Sequence, residues 1–224
     1  MENEQEVLDH TRFDLQVIAS WIRAGSRVLD LGCGTGDLLY NLRERKQVQG
    51  TGIELSEDKV AHCIGLGLTV VQGDFMEEVH DYPDLSFDYV ILSQTLQQVL
   101  DPQQLIPELL RVGKRVIVSF PNFGHWLIRL QIVFTGHAPV TDQLPYAWYN
   151  TPNIRVITIS DFKRFLRKTG VRLAREVAIN THHHDRDGHI IKYFTNFRAT
   201  YGIMMLERPD KPSGEQNGKI TVHG

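Results

Sequence analysis

Residues 28 to 39 read VLDLGCGTGDLL, an apolar strand that runs straight into three glycines and then into the start of a helix. Few features narrow the choice of fold as much. A strand that is apolar without alternation is buried on both faces, as in a parallel sheet covered by helices on either side. Glycines at its end let the backbone turn sharply and approach a ligand closely. The following helix points its N-terminus at the same place, so a binding site is expected at the carboxyl end of the sheet.

The rest of the chain repeats this alternation. RVLDL (27–31), VQGTGIEL (48–55), LTVVQGD (68–74), FDYVILSQ (87–94) and RVIVSFPN (115–122) read as successive buried strands. Helices are expected over 11–23, with Phe13, Val17, Ile18, Trp21 and Ile22 on one face, and from Asp37 to Arg45. Others follow Ser56, a candidate N-cap, and begin near Asp101-Pro102. Residues 159–170 form a further helix, capped by Ser160 or Asp161 and stopped by Gly170. VRLAREVAI (171–179) and YGIMMLER (201–208) close the pattern, joined by a polar, His-rich loop. The expectation is a Rossmann-like α/β fold with a mostly parallel, seven-stranded sheet and helices on both faces. One domain over 1–209 is expected, with 123–158 a helical, aromatic insertion after the fifth strand and 210–224 a disordered tail.

The glycine spacing bears on the ligand. Dinucleotide sites favour GxGxxG, whose third glycine lets a helix pack under a pyrophosphate. Here Gly32, Cys33, Gly34, Thr35 and Gly36 are followed by Asp37 at that third position, where a carboxylate sits badly beside phosphate. A ligand without phosphates fits better, one whose carboxylate and ammonium meet the loop backbone and a nearby acid, Asp30. S-adenosylmethionine is such a ligand. Glu54 ends the second strand, where it can accept both ribose hydroxyls, with Leu55 beside it. Asp74 ends the third strand, where it can accept from the adenine amino group, with Phe75 packing the ring. Ser93 and Gln94 end the fourth strand and would line the methionine end. Each feature alone can be a turn or a helix cap; together, on successive strand ends, they define a cofactor site.

DLGCGTG, IELS, GD and FDYVILS resemble the binding motifs of class I S-adenosylmethionine-dependent methyltransferases. More narrowly, LSQTLQQV, VSFPNFGHW and LPYAWYNTPN resemble the MetW family of methionine-biosynthesis proteins, over about residues 10 to 209. The resemblance implies a methyltransferase fold with an antiparallel last strand and a site for S-adenosylmethionine or S-adenosylhomocysteine. It also implies a partnership with homoserine O-acyltransferase, acetyl- or succinyl-transferring. Two departures from the wider pattern bear on catalysis: Gly113 stands alone before the fifth strand, and Gln97-Gln98 occupy a place where many relatives carry an acid and a histidine.

No catalytic residue is identified. Gln94, Asn122, His125, Tyr146 and Tyr149 are the candidates over the methyl end, but a histidine in an aromatic segment is more often hydrogen-bonded structure than a base. The fourth strand ends in Ser93-Gln94-Thr95-Leu96, which lacks the Asn/Asp-Pro-Pro-Tyr of DNA amino methyltransferases. Phe123, Trp126, Phe134, Tyr146, Trp148 and Tyr149 read as an extra helical segment closing the core over the sheet edge, as a lid over a pocket, or as a partner surface. His182, His183, His184, Asp185, Asp187 and His189 read as a solvated connection away from the cofactor ends, with no metal expected. Cys33 is expected to be a small residue beneath the cofactor rather than a nucleophile.

Composition excludes several classes. With 24 basic residues against 27 acidic, a net charge of −3 and no basic run, nothing marks a nucleic-acid surface. No stretch is long and apolar enough to span a bilayer, the polar N-terminus is no secretory signal, and two isolated cysteines suit a reduced cytoplasm. A soluble cytoplasmic protein is expected.

Overall fold

Each apolar run finds its place in one mixed sheet. The computed structural model describes residues 11–142, 144–182 and 185–209. The expected disordered tail at 210–224 and two of the loop histidines, His183 and His184, lie outside those residues. In chain order the elements are α1 (Phe13–Trp21), β1 (Arg27–Leu31), α2 (Asp37–Lys46), β2 (Gln49–Glu54), α3 (Glu57–Gly65) and β3 (Thr69–Gln72). Next come α4 (Phe75–Glu78), β4 (Phe87–Ser93), α5 (Pro102–Val112), β5 (Gly113–Pro121) and α6 (Trp126–Thr135). The last are α7 (Ile159–Thr169), β6 (Arg172–Asn180), β7 (His189–Ile191), α8 (Thr195–Arg198) and β8 (Tyr201–Glu207).

The sheet order is β3-β2-β1-β4-β5-β8-β6-β7. Pairings from β3 through β5 are parallel, whereas β8 runs antiparallel to both β5 and β6, as expected for the last strand. Strand order reverses between β1 and β4, so their carboxyl ends flank the crevice in which open α/β sheets hold ligands.

Eight strands stand where seven were expected. The extra one, β7, pairs antiparallel with β6 through Asn180↔His189 and Ala178↔Ile191. It is a three-residue edge strand with two exposed positions, inside the stretch read as a loop. At three residues, His189-Ile190-Ile191, it is too short to show a period in hydrophobic patterning.

Both faces of the central strands β1, β4 and β5 are buried, which explains their lack of alternation, whereas the edge strand β3 has three of its four residues exposed. Leu29, Leu31, Val90, Leu92, Val116 and Val118 pack on one side, with Leu105 and Leu109 of α5 and Phe162 and Leu166 of α7. Val28, Tyr89, Ile91 and Ile117 pack on the other, with Leu15 and Ile18 of α1 and Leu38 and Leu42 of α2. Each fully buried Leu or Ile contributes about 1.5–3 kcal/mol relative to exposure.

Three local expectations need correction. Ser56 occupies the N-cap position of α3, but its side chain caps nothing; its backbone N–H donates to Glu54 Oε1. The cap of α7 is Thr158, whose Oγ1 accepts from Asp161 N at 3.0 Å, rather than Ser160 or Asp161. In α1 the buried face includes Asp14 and Leu15, with Phe13 and Val17 only partly covered. The displacement follows from Asp14, which is drawn inward by two polar partners described below. Among the described residues, no helix is long and apolar enough to cross a membrane.

Candidate functional site

The carboxyl ends of β1, β2, β3 and β4 open into a cavity of about 790 Å³. Asp30, Gly32, Cys33, Gly34, Glu54, Leu55, Asp74, Phe75, Ser93 and Gln94 all line it, so the structure gathers ten of the residues singled out from the sequence. Gly36 is the exception. It sits behind the loop, where an added Cβ would fall 2.5 Å from Leu68 Cδ1 and 2.9 Å from Cys63 Sγ. With φ at +81°, Gly36 serves the turn into α2 rather than a ligand. Gly34, at φ +60°, has no atom within 4 Å of an added Cβ and faces the cavity, a bare stretch of backbone that a ligand could approach.

Glu54 does more than end a strand. Its Oε2 accepts from Gly34 N at 2.9 Å and its Oε1 from Ser56 N at 3.0 Å, so one carboxylate ties the glycine loop to the end of β2. Lys59 Nζ stands 3.9 Å away. Each carboxylate oxygen can accept a further bond, and the side chain lines the cavity. Asp74 combines the two readings made of it: Oδ1 caps α4 by accepting from Met76 N at 2.8 Å, while the residue lines the cavity. Leu55 is 71% exposed and Phe75 half-buried, an apolar rim between these two acids.

Asp30 is buried at the end of β1, 3% exposed, on the wall of the cavity. Desolvation lifts its pKa from 3.8 to about 7, against the lowering effect of Arg12 and with a further upward push from Glu54. Burial also pushes the Cys33 thiol far up, and its Sγ packs against Gly52 of β2. A thiol held protonated in this way is a poor nucleophile.

Four of the loop amides are engaged within the protein. Gly32 N and Cys33 N donate to Ile53 O at 2.8 and 3.1 Å, Gly34 N to Glu54, and Gly36 N to Cys33 O at 3.0 Å. These amides hold the loop's own shape and are not available to a ligand carboxylate.

Of the candidates over the methyl end, Gln94 and Tyr146 line the cavity. Asn122 does not. Its Nδ2 donates to Asn196 O and Ala199 O, and its Oδ1 accepts from Gly124 N and Ile159 N, a buried knot joining β5 to α7. His125 is buried and bonded to the backbone of Arg198, with its pKa lowered mainly by desolvation, and Tyr149 is largely exposed. Gln97, buried against the cavity, leaves Oε1 without a hydrogen-bond partner.

Arg12, Lys59 and Gln97 belong to the cavity although the sequence did not single them out as ligand contacts. Arg12 precedes α1 and forks onto Asp14; an acid on an otherwise apolar helix face was the available signal. The His-rich loop is also closer to the site than expected. Its Asp185 O accepts from Phe13 N and its Arg186 O from Gln16 Nε2, pinning the segment that carries Arg12. Among the described residues, no group of three His, Cys, Asp or Glu could hold a metal ion.

Comparison with known proteins bears on the family and the fold. The family pattern for "Methionine biosynthesis protein MetW" matches residues 12–206. The bifunctional methionine biosynthesis protein MetXA/MetW of Rhodopirellula baltica is 37% identical over 173 residues, which are 73% of this chain and 28% of that protein. Among solved structures, a SAM-dependent methyltransferase from Thermotoga maritima superposes with a TM-score of 0.63 at 18% identity, covering 92% of this chain and 93% of that one. Another from Archaeoglobus fulgidus gives 0.61 at 18%, covering 92% and 94%. These structures establish a Rossmann-like methyltransferase fold. On the match over almost its whole described length, the chain belongs to the MetW family of methionine biosynthesis proteins.

Proposed function

We propose that the protein binds S-adenosylmethionine or S-adenosylhomocysteine in this cavity and acts in methionine biosynthesis, in the cytoplasm, together with homoserine O-acyltransferase, acetyl- or succinyl-transferring. The observation that carries the reading is the convergence of Asp30, Glu54 and Asp74, from three successive strand ends, on one cavity beside the open backbone of Gly34. The donor set suits an adenosyl amino acid: a buried acid for an ammonium, an acid for ribose hydroxyls, an acid for an adenine amine, and Leu55 and Phe75 for the ring. No cluster of cationic side chains for a pyrophosphate accompanies them.

Two observations support the partner. The Rhodopirellula baltica relative carries MetXA and MetW in one polypeptide, a linkage that raises effective concentration between halves that meet. And α6 with the segment after it exposes Leu127, Val133, Phe134, Trp148, Tyr149 and Val156, an apolar surface of the kind that partners cover. A ligand derived from methionine would then report the pathway's product to the acyltransferase, through a coupling of about 5- to 150-fold in affinity.

Mixing the purified protein with the homoserine O-acyltransferase of its own organism tests this. The expected result is co-elution and a rate of acyl transfer that changes on adding S-adenosylmethionine or S-adenosylhomocysteine. Separate elution with an unaltered rate contradicts the partnership. A second reading, methyl transfer to a small molecule, is favoured by one feature: besides the acids, the cavity of about 790 Å³ is lined by Tyr146, Pro152 and Asn153 from the segment after α6. Release of S-adenosylhomocysteine in the presence of cell metabolites would support that reading.

A further inference from the structure

We propose that residues 145–156 form a strap whose order follows ligand occupancy, and that through it the cavity acts on the apolar surface offered to the acyltransferase. This link rests on the ligand and partner readings above and names the element that joins them.

The stretch faces two ways. Tyr146, Pro152 and Asn153 line the cavity, whereas Trp148, Tyr149 and Val156 are 77%, 74% and 74% exposed. Only Ala147 separates Tyr146 from Trp148, and the Trp148 and Tyr149 rings meet edge to face with centres 5.8 Å apart. A shift of the inward residues therefore moves the outward ones. A ligand biases an equilibrium only by what it contacts differently in the two states, and Tyr146 and Asn153 supply that contact.

The strap is loosely held. No residue of 145–156 is buried, and none belongs to a helix or strand. Among the described residues, every hydrogen bond tying it to the rest of the fold comes from Arg155. The Arg155 backbone N–H donates to Gln97 O at 3.0 Å, its Nε to Val99 O at 3.3 Å, and its Nη2 to Leu100 O. The bonds of Asn150 N to Ala147 O and of Asn153 N to Thr151 Oγ1 stay within the stretch. Segments with few buried contacts and few bonds open at low cost, and ordering one of them is a common switch.

Arg155 clasps the cavity wall itself, since Gln97, Val99 and Leu100 all line it. That wall is fixed. Gln97 is 5% exposed and its Nε2 donates to Gln94 O at 2.6 Å, while Gln94 Nε2 donates to the buried Asp14 of α1 at 2.7 Å. One arginine thus joins a rigid wall to a loose strap beside the same cavity. A ligand seated there adds contacts to Tyr146 and Asn153, favours the ordered strap, and presents Trp148 and Tyr149 in one arrangement.

Hydrogen exchange of the full chain, read by mass spectrometry, tests this. Saturating S-adenosylmethionine is expected to slow exchange at residues 146–151 by at least about five-fold, the low end of an allosteric coupling. Arg155→Gln, at an exposed residue outside the cavity lining, should still bind the ligand and co-elute with the acyltransferase. It should lose both the protection and the ligand's effect on the rate of acyl transfer. A wild type that binds and co-elutes yet exchanges unchanged over 146–151 would overturn the strap alone, as would a full ligand effect in Arg155→Gln. Binding without co-elution would overturn the partner reading and this link with it. An absence of calorimetric binding would overturn the adenosyl reading, on which the strap depends.

Discussion

Asp30 couples the site to pH. In the folded protein it titrates near 7, against 3.8 ordinarily, because burial penalises its charge. Between about pH 4 and 7 the folded chain therefore holds a proton that the unfolded chain has lost, and the stability this residue contributes falls as pH rises through that window. A ligand ammonium acts the other way, favouring the ionised carboxyl. Binding below pH 7 should expel the proton, so affinity for S-adenosylmethionine should rise from pH 5 to 7. Titrations at pH 6 in buffers of different ionisation enthalpy should show proton release for the wild type and none for Asp30→Asn. A wild-type affinity that stays flat over that range would contradict this role. Asp30, Glu54 and Asp74 were legible in the sequence because each ends an apolar strand, and strand ends in such folds converge. Arg12 was not, because it is one of 24 basic residues and its place beside Asp30 depends on how α1 docks across β4.

At the scale of elements, α6 stands apart. Its sequence, WLIRLQIVFT, carries apolar residues around most of its circumference, yet only Ile128 is buried. Phe134 is 79% exposed and Val133 74%. Such a helix is costly to leave in water, at about 25 cal/mol per Å² of apolar surface. Phe134→Asp should leave the thermal midpoint close to the wild type, since the side chain is 79% exposed. It should abolish co-elution with homoserine O-acyltransferase while leaving S-adenosylmethionine binding intact. Retained co-elution would place the interface elsewhere. The sequence identified this aromatic segment but left a lid and a partner surface equally open. The structure distributes its aromatics, with Tyr146 at the cavity and Trp148 and Tyr149 largely exposed. Strand β7 and helix α8 were illegible for a different reason. Three- and four-residue elements in a polar stretch are held by β6 and by Asn122, not by any period of their own.

Over the whole molecule, the parallel strands, the reversal between β1 and β4, and the helices on both faces follow from apolar runs alternating with amphipathic segments. That much is sequence logic, since burial on both faces leaves few other arrangements. The placement of side chains within the site is tertiary. Glu54 shows this best: expected only as a ligand acceptor, it also braces the glycine loop, so ligand contact and loop shape depend on one carboxylate. Replacing it should therefore cost more than replacing Asp74, whose structural bond serves only the short helix α4. Calorimetric titration of S-adenosylmethionine into the wild type, Glu54→Ala and Asp74→Ala tests the central claim. Saturable wild-type binding is expected, weakened by about 1.5–3 kcal/mol in Glu54→Ala and by less in Asp74→Ala. An absence of wild-type binding, or an affinity unchanged in both variants, would contradict it.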